Sequence, residues 1–308
     1  MSLGIKTHKI RRLAGSQRTM IDGHTLNYRK GNDWYVDASR SSTGLGSSWE
    51  DAFLTMAEAF AVIGSGDTIY FTGKVREQLV TPVQVFDVRV VGMGNRPRHA
   101  DSAPVGGNTH AATWAAPASP TAAQALVRVL QQGWIFENIL FAGSAGCASV
   151  ELVRNAASGD SERDASHALL VGCKFFGVAS TDSGVKFGSA SFTEIVNNAR
   201  IEDCDFFNCA NAIKEHSALT KYAQIVGNRF QENTNDIVLA ASHARILNNV
   251  MSLAPTAAIV ISGGTGSSQV HGNYLPGTYA NGTLYAPGTS DNWNGNYAST
   301  GVTAAVPA

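Results

Sequence analysis

Six aligned segments in the second half of the chain limit its fold more than any other feature. They are Ile135-Phe-Glu-Asn-Ile-Leu140, Leu170-Val-Gly-Cys-Lys-Phe175, Ile201-Glu-Asp-Cys-Asp-Phe206, Ile225-Val-Gly-Asn-Arg-Phe230, Ile246-Leu-Asn-Asn-Val-Met251 and Val270-His-Gly-Asn-Tyr-Leu275. The shared pattern is aliphatic, any residue, Gly/Asp/Asn (Glu in the first), Asn/Cys, any residue, large apolar. The fourth positions, Asn138, Cys173, Cys204, Asn228, Asn249 and Asn273, recur at spacings of 21 to 35 residues. A second short apolar run follows in the first five: Val150-Glu-Leu, Val185-Lys-Phe, Ile213-Lys, Ile237-Val-Leu and Ile259-Val-Ile. Periods of this size belong to stacked coils, in which each repeat buries its apolar face only against its neighbours.

Each column then has a physical role. The aliphatic and large apolar columns face a central core. The third column sits at a sharp bend, where Gly, Asn and Asp enter the left-handed region at little cost. The fourth column points inward from that bend. Asn side chains stacked there can bond one another and the buried backbone as a ladder. Cys173 and Cys204 share the column, so they read as core thiols, not as metal ligands or a disulfide. Cys209 reads as local packing.

The pattern resembles the right-handed parallel β-helix of the pectate-lyase-like family. The opening block of a strand (Trp34 to Asp37), a Ser/Gly loop, a helical pattern and Asp67-Thr-Ile-Tyr-Phe-Thr72 is similar to the entry and cap of many such chains. The helical spacing runs from Trp49 to Ile63, with Ser47 or Ser48 as its cap. The resemblance covers residues 34–275. It implies an all-β chain, a right-handed parallel β-helix with a short N-terminal capping helix and a basic N-terminal arm. That fold hosts lyases, hydrolases, phage tailspikes, adhesins and structural virion proteins, so it does not by itself assign an activity.

Charge is unevenly placed. Residues 1–33 form a basic arm with no apolar periodicity; residues 1–31 carry +6 and the remainder −7. After Arg245 there is no Lys or Arg, and the last 63 residues hold one formal charge, Asp291. Residues 276–308 follow the last repeat and read as a C-terminal cap and interface segment. Residues 95–125 are a Pro/Ala/Gly/Thr-rich loop excursion from the coil. The N-terminus lacks the apolar stretch of a secretory signal, and no segment is long and apolar enough to insert in a membrane.

Catalytic constellations are missing from the sequence. The acidic cluster of calcium-type pectate lyases and the Asn-Thr-Asp, Asp-Asp, Gly-His-Gly and Arg-Ile-Lys motifs of polygalacturonases are not found. Asn233-Thr-Asn-Asp236 only echoes the first of these. Asp203 and Asp205 are close, but Asp203 falls in the bend column. The eight histidines show no metal spacing, so no metal and no cofactor is expected. Neighbouring turns lie about 4.8 Å apart. Glu151, Lys186 and Lys214, outward on the second strand, therefore form a short charged ladder, with Glu215 and His216 just beyond. These five are the candidate glycan-binding residues, and Val238 and Val260 continue their column as an apolar surface. Trp114 and Trp134 are considered as sugar-stacking rings, with Trp134 reading better as core. No catalytic residue is assigned, and the chain reads more as a non-enzyme than as an enzyme.

The expected function is a phage virion structural protein, a β-helical tail spike, fibre or capsid decoration. Made in the host cytoplasm, it would be held on the virion through Lys6, Lys9, Arg11, Arg12 and Arg18 of its arm. The expected partners are itself, as a homotrimer, other virion proteins and host surface polysaccharide. A polysaccharide lyase or hydrolase (a depolymerase) and a glycan-binding adhesin are the alternatives.

Overall fold

The computed structural model describes residues 19–21, 24–26, 31–94, 112–144, 146–154, 164–177, 183–189, 191, 194–216, 220–240, 243–252, 256–262, 267–275, 285–286, 290–298 and 301–303. The arm cations Lys6, Lys9, Arg11, Arg12 and Arg18 lie outside the described residues. Within the arm, Thr19–Ile21 pairs antiparallel with His24–Leu26.

The coil begins with one long strand. Thr68–Arg76 turns at Gly73, where φ is +81°. Its first half pairs with Arg89–Gly92 and its second half with Ala112–Ala115, so it belongs to two faces at once. Later coils visit three faces. Sheet A stacks Ile135–Glu137, Leu169–Val171, Arg200–Glu202, Gln224–Val226, Arg245–Leu247, Gln269–His271 and Asn292–Asn294. Sheet B stacks Ala112–Ala115, Leu140–Ala142, Lys174–Phe176, Asp205–Phe207, Arg229–Gln231 and Val250–Ser252. Sheet C runs from Leu79–Val80 to Tyr285–Ala286 as an 8-stranded sheet. Every pairing in these stacks is parallel.

Parallel stacking in register places like over like, and this builds the core. Phe136, Leu170, Ile201, Ile225, Ile246 and Val270 form one fully buried column on sheet A. On sheet B the Phe141, Phe175, Phe206 and Phe230 rings stack at 5.1, 4.6 and 5.0 Å between centroids, and no pair is tilted by more than 9°. Val150, Val185, Ile213, Ile237 and Ile259 fill sheet C. Offset ring stacks and burial of this kind are the main source of stability for a coil whose ends carry little else.

The bend from sheet A to sheet B carries the inner ladder. Gly172, Asp203, Gly227, Asn248 and Gly272 hold φ between +51° and +68° there. The Oδ1 of Asn249 accepts the Asn228 N–H at 2.9 Å and the Asn228 Nδ2 at 3.0 Å, while its own Nδ2 donates to the Ile225 carbonyl at 2.9 Å. Asn273 repeats this beneath Asn249, and Asn296 repeats it beneath Asn273. Asn228 closes the Cys204 N–H and the Ile201 carbonyl. The thiols of Cys204 and Cys173 approach the equivalent carbonyls of Leu170 and Phe136, at 3.5 and 3.4 Å. A thiol thus keeps the donor half of an Asn and, as a weak acceptor, only a weak form of the acceptor half, which Cys204 offers to the Cys173 N–H. All four cysteines are free and buried. Burial holds the Cys204 thiol well above its ordinary range, and neighbouring Cys173 pushes the same way. Cys209 is a rung of a second ladder at the bend from B to C: its N–H donates to Asn233 Oδ1 at 2.9 Å, and Asn233 Nδ2 reaches the Phe206 carbonyl.

The structure corrects four expectations. Asn138 is not a ladder rung. Phe136, not Ile135, is in register with Leu170, so Asn138 takes the bend position at φ +57° and Ile139 takes the inward one. The coils also continue past Leu275. Asn292–Asn294 pairs with Gln269–His271, Tyr285–Ala286 pairs with Ile259–Val260, and Trp293 lies in the core. Residues 112–115 of the expected excursion are a buried strand of sheet B. Its Trp114 is fully buried and donates to the Glu77 carbonyl at 3.0 Å, so it cannot stack on a sugar. Finally, the capping helix α1 is only Met56–Val62. Thr55 is its N-cap, Glu58 completes the capping box, and the Glu77 carboxylate accepts the Met56 and Ala57 N–H groups. Residues 49–54 fold as turns instead, because Phe53 is drawn into an edge contact with Val36 and Tyr35. From α1, Phe60 closes the end of the core edge-on against Trp114 and Trp134.

Two stability predictions follow from the interior. Asn249→Leu removes the acceptor shared by the Asn228 N–H and Nδ2 and the side-chain donor to the Ile225 carbonyl. It is expected to lower unfolding free energy by at least about 1–3 kcal/mol, the usual cost of a buried polar group left unpaired, as read by denaturant titration. The second concerns Asp236, fully buried, with Oδ1 on Asn233 and no partner for Oδ2. Burial pushes its carboxyl up to about 8, against the opposing pull of the Asn233 hydrogen bond. The raised value means the proton is held more tightly in the folded chain. This contribution is full below the ordinary carboxyl range of about 4 and is lost as pH climbs towards 8. Melting temperature should therefore fall across that window, and Asp236→Asn should flatten the fall.

Candidate functional site

On sheet C the charged column is in register as the spacing requires. Glu151 pairs with Lys186 across one rung and Lys186 with Lys214 across the next, followed by Val238 and Val260. The column begins one coil earlier than expected, at Arg128. Arg128 takes the Glu151 carboxylate in an ion pair, and Lys186 Nζ lies 3.8 Å from it, so Glu151 is 1% exposed. A buried, doubly countered carboxylate is poorly placed to meet a ligand. Lys186 and Lys214 remain half-buried along the same column.

Glu215 is corrected. Strand alternation turns it inward beside the outward Lys214, in register with buried Phe187. There its carboxylate accepts the Thr220 N–H and the Ala240 N–H, each at 2.6 Å. It ties two loops to the coil and presents nothing to solvent. His216, next in the chain, is exposed.

A better cleft lies on sheet A, where the sequence flagged none. A groove of about 460 Å³ is lined by Val91, Gly92, Met93, Gly94, Glu137, Asn138, Val171, Gly172 and Asp203. It exists because the bend column is Gly, Asn or Asp, which leaves a furrow beside the strands. Asn138 Nδ2 donates to the carbonyls of Gly92 and Gly94, while its Oδ1 is buried with no partner among the described residues. Glu137 on the wall is engaged by Arg89, and Glu202, two rungs on in the same column, by Arg200. Gly94, on the groove edge, is the last described residue before Ala112.

Upstream of the groove the same outward column becomes aromatic. Tyr35, Tyr70 and Val91 occupy successive rungs. The two tyrosine rings stack at 5.7 Å, and Trp49 meets Tyr35 edge-on at 5.0 Å. The result is a ring platform leading into a mostly apolar furrow flanked by two Arg–Glu pairs. Rings of this kind offer an apolar face with a polar edge, and the furrow carries carboxylates on its wall. Its pieces come from four coils, which is why no contiguous motif announced it.

No protein-family model matches the chain, and no curated protein matches it. Solved structures do. XylC in complex with xylose aligns with a TM-score of 0.58 over 86% of this chain and 68% of that one, at 11% identity. Pectate lyase Pel9A gives 0.52 over 89% and 77%, at 12% identity. The chain is a right-handed parallel β-helix. A tailspike protein of E. coli bacteriophage HK620, in complex with a pentasaccharide, aligns at 0.45 over 88% of this β-helix and 50% of that chain, at 13% identity.

Proposed function

We propose that this β-helix is a non-catalytic glycan-binding appendage of a phage particle, self-associated as a homotrimer and fixed to other virion proteins by its basic arm. The observation that carries the glycan assignment is the Tyr35–Tyr70 platform opening into the Asn138 furrow on sheet A. Stacked rings receive the apolar face of a sugar, and the carboxylates of Glu137 and Asp203 at the furrow can accept its hydroxyls. Support for the virion assignment comes from the sequence: the +6 arm suits an acidic partner surface, and the C-terminal end, with Asp291 as its single formal charge, suits contact between chains. In this reading the protein is made in the host cytoplasm and acts on the virion.

One observation favours a second reading. Glu137 and Glu202 share an outward column two rungs apart, which places their backbones about 9–10 Å from each other, near the spacing of an inverting carboxylate pair. Each is held by an arginine, however, and a carboxylate tied to a guanidinium is a poor proton donor. Binding without turnover is therefore preferred.

The test is a panel of bacterial surface polysaccharides offered to the full chain, with binding measured by calorimetry and cleavage by release of reducing ends. Saturable binding without release is expected, weakened about tenfold or more by Tyr70→Ala. Release of oligosaccharides that stops with Glu137→Gln would instead make it a depolymerase. Deleting residues 1–31 should spare glycan binding and abolish incorporation into the particle; normal incorporation would remove the anchoring role.

A further inference from the structure

The bend from sheet C back to sheet A carries a feature that neither the core nor the groove uses. In a coil built on glycine and asparagine bends, this one places His167, Asn198, Tyr222 and His243 at φ between +55° and +63°. Asn and His enter this region more readily than other non-glycine residues, whereas Tyr222 is held there by the surrounding structure. The four lie on successive coils. The His167 N–H donates to the Asn197 carbonyl and the Asn198 N–H to the Lys221 carbonyl. Asn198 Nδ2 lies 3.3 Å from His167 Nε2, and the Tyr222 and His243 rings are 5.1 Å apart at 34°. Tyr222 is 48% exposed although its neighbour Ala223 is 1% exposed.

Two residues further along each strand, a second outward column runs beside the first: Arg200, Gln224, Arg245 and Gln269, in register. Arg200 is tied to Glu202. Arg245 and Lys221 are exposed, and neither forms an ion pair among the described residues. The surface is thus an aromatic and imidazole rail alongside free cations and amides, with no carboxylate among these rungs; Asp87 stands in the first column two rungs upstream of His167. Its rungs are spaced by the β-stack at about 4.8 Å, close to the length of one sugar unit, so a chain laid along the helix axis meets a new set of side chains at each unit.

We propose that this strip, the rail His167–Asn198–Tyr222–His243 with Lys221, Gln224 and Arg245, is a second glycan-contact surface that selects chains bearing carboxylates. The proposal rests on the glycan-binding reading of the sheet A groove and adds the charge class of the ligand. Tyr222 and His243 receive sugar faces, Gln224 bonds hydroxyls, and Lys221 and Arg245 pair with uronate groups. The exposed side chains can be replaced without touching the core.

The experiment uses the full chain with uronate oligosaccharides (alginate and polygalacturonate oligomers) and their carboxyl-reduced neutral counterparts. The uronate forms should bind about tenfold or more tightly than the reduced forms at low salt. The double variant Lys221→Ala/Arg245→Ala should erase that preference and leave binding of the neutral forms intact, with an unchanged melting temperature. Tyr222→Ala should weaken both forms. Equal affinity of the parent chain for uronate and reduced forms, or a preference that survives the double variant, would overturn the strip. Loss of all glycan binding in the parent chain would instead sink the groove reading beneath it. Single-stranded DNA of similar charge that binds as well, and is released by the same substitutions, would overturn the glycan assignment of the strip.

Discussion

Every coil must turn a sharp corner between sheets A and B with backbone N–H and C=O groups facing a core that water does not enter. Left alone, each such group costs as much as a lost hydrogen bond. The Asn column meets this demand by placing a side-chain amide at the corner to act as a surrogate peptide. Its oxygen takes the N–H of the preceding coil and its nitrogen takes the carbonyl three residues before that N–H. Since each Asn also bonds the next Asn, the corners are fixed relative to one another. Strand register, ring stacking and the flatness of the outer faces depend on that fixed pitch. Where the column changes to Cys204 and Cys173, the donor half persists and the acceptor half is only the weak one of a sulfur, and the flanking Phe stack has its closest pair, Phe175–Phe206, at the same height.

A fixed pitch turns the outside of the molecule into a ruled surface. Outward columns repeat at the same interval, so their character is set by which residue occupies each rung. On sheet C the column is a run in which the one carboxylate, Glu151, is covered by Arg128 and Lys186, with Lys214 on the next rung. On sheet A the column begins with tyrosines and passes into a furrow left by small bend residues. At the third corner it exposes rings and cations. The same coil therefore presents one closed face and two with binding chemistry, and this difference follows from side chains, not from the fold.

The fold was legible because stacking forces the same residue types to recur, and the recurrence survives uneven loop lengths. Its failures were local and physical. Asn138 misled because the bend column and the ladder column both accept Asn, and Ile135 and Phe136 are both apolar, so the register was open by one residue. Asn296 escaped because Trp293 replaces the usual aliphatic residue before its Gly295-Asn296 step, after an interval without a recognisable strand. Glu215 was misplaced by neglecting the two-residue alternation that the outward Lys214 already fixed. The helix came out short because Phe53, at a helical spacing, packs better as an edge contact with the first strand. The groove and the His167–His243 rail were not legible, since each gathers single residues from different coils and becomes a unit only when the pitch is known.

The central claim is that the Asn ladder, not the strand pairing alone, fixes the corners. Native-state hydrogen exchange followed residue by residue tests it most directly. The backbone amides of Cys204, Asn228, Asn249 and Asn273, each bonded to an Asn oxygen, should be among the slowest to exchange, opening only with global unfolding. Exchange of these four amides through local opening, well ahead of the sheet amides, would contradict the account.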